Sequence, residues 1–99
     1  MRSGEFNMAR NFNMIINKKS DNLHLKLFGD FDGTSAWELL NTVKENNHSP
    51  KKVFIHTSGL CTVYPFGVAV FRKNLKAIFG KSMLLILIGD KAKELDPEI

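Results

Sequence analysis

The sequence predicts a small α/β domain: a mixed four-stranded sheet with helices as crossovers and a short C-terminal helical turn, in the chain order β-β-α-β-α-β. Three observations carry that expectation. Leu23, Leu25 and Leu27 alternate with His24 and Lys26, the period-two pattern of a strand with one buried face. Two later stretches, around Leu39 and around Phe71, repeat apolar residues at three- and four-residue spacing, as amphipathic helices do. Met83 to Ile88 is apolar without alternation, as in a parallel strand covered on both faces.

In order along the chain, Phe12 to Asn17 reads as a first strand, and the polar stretch Lys18 to Asn22 as a hairpin turn. The second strand spans Leu23 to Phe28. Gly29 to Gly33 breaks its alternation, and Ser35 with Glu38 three residues later makes a capping-box sequence for a helix. Ala36, Leu39, Leu40 and Val43 form the buried face of that helix, with Trp37 alongside, and the helix ends in Asn46 to Pro50. Val53 to Thr57, β-branched and aromatic, is the third strand, leading into an irregular connection from Ser58 to Pro65. A second helix runs from Phe66 to Phe79. Val70, Phe71, Leu75, Ile78 and Phe79 lie on one side, Arg72, Lys73 and Lys76 on the other, with Gly80 as C-terminal cap. After the Met83–Ile88 strand, Gly89 and Asp90 open a last helical turn ended by Pro97.

With 99 residues the chain has room for one core, and its 43% hydrophobic and 24% charged residues are globular proportions. Residues 1–7 begin Met-Arg-Ser-Gly-Glu-Phe, which has no apolar signal core and reads as an expression remnant, so the domain is taken as 8–99 with Met8 as native start. The longest apolar run is far short of a membrane span. One cysteine, Cys61, closes no intrachain disulfide, which suits a reducing, cytoplasmic setting. No zinc-ligand spacing and no cofactor motif is present, so neither a metal nor a cofactor is expected.

Two local patterns resemble the STAS (sulphate transporter and anti-sigma factor antagonist) family over Met14 to Leu95. Gly29-Asp30-Phe31-Asp32 followed by Ser35-Ala36 is similar to the family's Gly-x-Leu-Asp and Thr/Ser-Ala signature at its first helix. Val53-Phe54-Ile55, then Ser58-Gly59-Leu60 and Val63-Tyr64-Pro65-Phe66-Gly67-Val68, aligns with the family's hydrophobic strand and Asp-Ser-Ser-Gly-Leu loop. The resemblance implies a non-enzymatic regulatory protein–protein interaction module, in which the serine before that glycine accepts phosphate and the added charge disrupts docking. Here Phe66 holds that place. Tyr64 and Pro65 replace the acidic residue and the first serine, His56 stands for the strand-end aspartate, and only Asp32 of the acidic pair remains. The family usually carries more helix after its fourth strand, which leaves open whether the native chain extends past Ile99.

On this reading the partner-binding residues are Asp32, Gly33, Thr34, Ser35, Tyr64, Pro65, Phe66, Gly67 and Arg72, and Phe66 is a phosphosite equivalent that cannot be phosphorylated. Two arrangements of the aromatic loop are open. In one, Tyr64 and Phe66 are exposed interface anchors; in the other, Phe66 and Val63 fold inward as core plugs and only Tyr64 is exposed. The helix start after Pro65 could hold an anion, as any helix start could. Ser58 and Thr62 are the alternative phosphosites. Arg72, Lys73 and Lys76, with Lys18, Lys19, Lys51 and Lys52, could meet nucleic acid, but a solvated helix face with turn lysines is the simpler reading. Asp30 and Asp32 are read as helix-capping rather than catalytic, and His24, His48 and His56 as scattered structural residues.

The implied partner is an anti-sigma factor or switch kinase, or else the ATPase of a bacterial lipid transporter that binds a small STAS subunit. A small-ligand, nucleotide or nucleic-acid-binding domain is the alternative from another class. No nucleophile, base and orienting group come together in the sequence, so no catalysis is expected. The sequence sets no oligomeric state.

Overall fold

The computed structural model describes residues 11–46, 52–78 and 84–96. The elements are β1 (Asn13–Lys19), β2 (Asn22–Phe31), α1 (Gly33–Glu45), β3 (Lys52–Val63), α2 (Pro65–Ile78), β4 (Leu84–Ile88) and α3 (Ala92–Leu95). They form a mixed sheet in the order β1-β2-β3-β4, with β1 antiparallel to β2 and with β2, β3 and β4 parallel. The expected α/β class and element order are therefore the observed ones. The assignments for residues 1–7, Met8, His48, Pro50, Lys51, Gly80, Met83 and Pro97 lie outside the described residues.

The core follows from the strand alternation. Leu23, Leu25 and Leu27 of β2 and Val53 and Ile55 of β3 point to one face, where they meet Leu39, Leu40 and Val43 of α1, Phe71 of α2 and Leu95 of α3. Each such side chain contributes about 1.5–3 kcal/mol by leaving water. Phe31 sits between Phe12 and Phe71, edge-on to both at centroid distances of 6.3 and 6.2 Å. All these helices lie on one side of the sheet, and no described helix covers the other.

Several expected boundaries differ, each for a tertiary reason. β1 runs on to Lys19, and the turn tightens to Ser20 and Asp21, with Ser20 in the left-handed region at φ 51°. β2 does not stop at Phe28. Gly29 takes φ 91° and the ladder to β3 continues through two register shifts as far as Phe31. A β-carbon at Gly29 would collide with the backbone carbonyl oxygen of Asn11, so the incoming chain crosses directly over this position.

The expected irregular connection from Ser58 to Pro65 is also strand. With β2 prolonged, Phe28, Gly29, Asp30 and Phe31 stand opposite Gly59, Leu60, Thr62 and Val63, so these residues gain ladder partners and only Tyr64 remains to link β3 to α2. β4, expected to be buried on both faces, is instead the strand at the end of the sheet, with Leu84 and Ile88 exposed on the uncovered side.

Candidate functional site

α1 begins at Gly33, three residues earlier than a capping box with Ser35 as N-cap would place it. Asp32 is the N-cap, and its Oδ1 accepts a hydrogen bond from the Ser35 backbone N–H at 2.9 Å. The Ser35 hydroxyl is turned inward, 2.7 Å from the Asp30 carbonyl oxygen and 3.0 Å from Asp32 Oδ1. Ser35 is fully buried, so it holds the β2–α1 corner rather than touching a partner. Glu38, one turn on, has its carboxyl pushed above the usual range by burial and by the neighbouring Asp32 carboxylate. A capping-box glutamate would instead be favoured in its charged form, which marks Asp32 as the residue that satisfies this helix start.

The β3–α2 corner is pressed against the first. The Tyr64 backbone N–H donates to the Phe31 carbonyl oxygen at 2.9 Å. Gly67 is buried, and a β-carbon there would stand 2.7 Å from the carbonyl oxygens of both Phe31 and Asp32. This close approach requires glycine and explains Gly67 structurally, without a contact to a partner. Gly33 is matched in the same way: its β-carbon would lie 2.7 Å from Cε2 of Phe66. The Phe66 ring therefore rests with one edge on the α1 start while 72% of the residue stays open to solvent. Of the two arrangements open for this loop, the exposed one is found. Tyr64 is 45% exposed beside it, and Val63 is half-buried against the core.

A groove runs from this corner between α1 and α2. Its cavity of about 470 Å³ is lined by Trp37, Phe66, Ala69, Val70, Lys73 and Asn74. Trp37 is 45% exposed. Phe66, Ala69, Val70 and Lys73 follow helical spacing, so a stripe distinct from the buried Phe71 was present in the sequence. Trp37 lies four residues after Gly33, the turn on which Phe66 rests. The sequence reading assigned Trp37 no function and placed Val70 in the core alone; both line the groove, and Val70 also packs against the core. Thr34 is half-buried in the first turn of α1, Pro65 is exposed at the start of α2, and Arg72 is exposed next to Lys73.

The remaining candidates fall elsewhere. Ser58, Cys61 and Thr62 are exposed but sit on β3 rather than in a loop, and the Ser58 hydroxyl lies against Gly89. Asp30 is engaged by the Asn11 carboxamide at 3.3 Å. Lys19 lines the uncovered sheet face with Lys26, away from the helical layer that carries Arg72 and Lys73, so the basic residues do not form one stripe. His24 and His56 are not scattered: the strand register brings His24 Nδ1 and His56 Nε2 to 3.1 Å. Burial pushes the His56 imidazole below its ordinary value, and the charges of His24 and Lys26 push it further down. Among the described residues there is no group of three or more His, Cys, Asp or Glu able to hold a metal, and no helix long and apolar enough to cross a membrane.

No protein-family model matches this chain, and no curated protein sequence does. Solved structures do. The anti-sigma factor antagonist SpoIIAA, in its unphosphorylated form, superposes with a TM-score of 0.64 at 10% identity, covering 86% of this chain and 82% of that one. Two structures of Mglu match with TM-scores of 0.68 and 0.64 at 10% and 9% identity, covering 78% and 73% of this chain. The chain spans only 19% and 21% of those Mglu chains. At such identities the likeness is one of fold, and the fold is STAS-like: a small α/β domain on a mixed four-stranded sheet, shared over nearly the whole length of SpoIIAA.

Proposed function

We propose that this chain is a non-enzymatic regulatory module of the STAS type that docks onto a protein partner through the shoulder where α1 and α2 begin. The observation that carries this reading is Phe66. A phenylalanine 72% exposed at a helix start, seated on a glycine and continuous with an exposed tryptophan, leaves a large apolar surface in water at a site rigidly held by two strand ends. Tyr64, Pro65 and Phe66 form the ridge, the Trp37–Lys73 groove receives the partner, and Asp32, Gly33 and Thr34 flank it; Ser35 and Gly67 set the geometry from beneath.

The partner is an anti-sigma factor or switch kinase, or the ATPase of a lipid transporter, and the setting is cytoplasmic. SpoIIAA, the similar structure, is an anti-sigma factor antagonist, which supports this class. Phe66 stands at the start of α2, where a phosphorylatable serine would switch docking off; with no hydroxyl there, docking is constitutive. Ser58 and Thr62, both exposed on β3, are the remaining hydroxyls at which a displaced switch would act.

The test is affinity capture with the wild-type chain and a Phe66→Asp variant, followed by titration of the purified partner. A bound ATPase-like protein whose affinity falls at least about tenfold for Phe66→Asp and for Trp37→Ala, with both variants melting like the wild type, supports the reading. Equal retention by wild type and variants removes this shoulder as the interface.

A further inference from the structure

We propose that the uncovered face of the sheet carries a separate anion site, for a phosphate monoester or a similar compact dianion, in the cleft lined by Asn17, Lys19, His24, Lys26 and His56. The cleft encloses about 230 Å³. Three strands build it. The antiparallel register sets Asn17 opposite His24 and Lys19 opposite Asn22, and the parallel register sets His24 opposite Phe54 and Lys26 opposite His56. Because alternate residues share a face, all five lining side chains emerge on the side away from the leucine core.

The chemistry of the lining is one-sided. Two ammonium groups, two imidazoles and a carboxamide can all donate hydrogen bonds, and no carboxylate lines the cleft. Among the described strand residues the other charged group facing this way is also cationic, Lys52 of β3, and β4 offers only Leu84, Ile86 and Ile88. Asp21 lies in the hairpin turn beyond Lys19, and Asp30 lies at the far end of β2, engaged by Asn11. Neither lines the cleft.

The histidine pair is held in place. Phe54 stacks on the His24 ring at 4.4 Å between centroids and 9° between planes, and the two imidazoles are 3.1 Å apart through one shared hydrogen bond. In the neutral pair that bond uses one of the two N–H groups, so one outer nitrogen keeps an N–H for a ligand and the other gains one only on protonation. Without an anion, a second proton on the pair would set cation against cation, beside Lys26; His56 is pushed down first by burial and then by the charges of His24 and Lys26. A dianion reverses the balance: it pairs with the ammonium groups and favours an imidazolium beside it. Binding is therefore linked to proton uptake and strengthens as pH falls. A monoester fits better than a diester, since it carries nearly two charges near neutral pH against one.

The site does not depend on the docking shoulder, which lies on the helical layer, so each can fail alone. The experiment is amide and imidazole NMR on the whole chain, titrated with sulfate and with glycerophosphate, and with chloride at matched ionic strength as the screening control. Saturable shifts centred on the five residues are expected, with the His56 titration midpoint raised by sulfate. Sulfate, whose own charge is constant, binds several-fold tighter at about pH 6 than at about pH 8. Lys26→Gln and Lys19→Gln, both at exposed positions, each weaken binding about tenfold without lowering the melting temperature. The proposal is overturned if chloride reproduces the shifts, which would mean an adventitious ion only, if neither lysine variant changes the affinity, if the shifts lie at the α2 start instead, or if a thymidine oligonucleotide competes better than glycerophosphate.

Discussion

Asp32 closes β2 and opens α1, and its carboxylate takes the Ser35 N–H that the helix leaves without an intrahelical partner. Asp32→Ala should cost about 1 kcal/mol, seen as a melting temperature lower by roughly 4–8 °C for a domain of this size; an unchanged melt would show that solvent replaces the cap at no cost. Ser35 is the more buried of the two but is one step removed, since it binds the strand carbonyl of Asp30 rather than a helix N–H. The sequence showed four cap-competent side chains, Asp30, Asp32, Thr34 and Ser35, within six positions. Which one caps is decided by where β2 stops pairing with β3, a fact no local pattern contains. The same holds for Phe66, whose ring edge meets Gly33 of the neighbouring corner while most of the residue stays exposed.

At the scale of elements, the largest departure is the carboxyl half of β3. Ser58-Gly59 has turn composition, yet the segment is strand because β2 passes through Gly29 and supplies partners as far as Val63. Hydrogen exchange tests this directly: amides between Gly59 and Val63 that face β2 should exchange with the slow set of Val53 to Thr57, whereas a loop would exchange at near-unprotected rates. β4 shows the reverse error. An unbroken apolar run suits burial on both faces, but the strand ends the sheet and one side has no described helix, so Leu84 and Ile88 stand exposed. Composition registers that a strand is apolar and leaves open which neighbour covers it. By contrast α1 and α2 were legible to within three residues at their starts, because a helix makes its hydrogen bonds locally and shows its buried stripe in its own spacing.

For the molecule as a whole, the sheet divides two chemistries, an exposed aromatic shoulder, the proposed docking surface, on the helical side and a cleft lined by lysines and histidines on the other. The cleft gives the fold a pH dependence of definite sign. His56 has a lowered folded pKa, so the unfolded chain takes up its proton first as pH falls below about 6.5. The contribution is fully present above that pH and is lost as pH falls through the lower folded value. Wild-type unfolding free energy should therefore drop between neutral and mildly acidic pH more than that of His56→Asn; parallel pH profiles for the two proteins would remove His56 as the cause. Binding of a dianion in the cleft should shrink the drop, which couples this profile to the anion site.

What the sequence determined by itself was everything that depends on neighbours within a few residues: the class, the element order, the two amphipathic helices, the leucine face of β2 and the absence of a phosphate acceptor at position 66. The tertiary structure alone decided how far β2 and β3 extend, that His24 and His56 meet across 32 positions at 3.1 Å, and that Trp37 and Phe66 line one groove. Helical and strand periodicities are written in successive side chains, whereas register, edge position and cross-strand meetings are set by long-range pairing. Pairing energy is shared between distant segments, so neither segment records it alone.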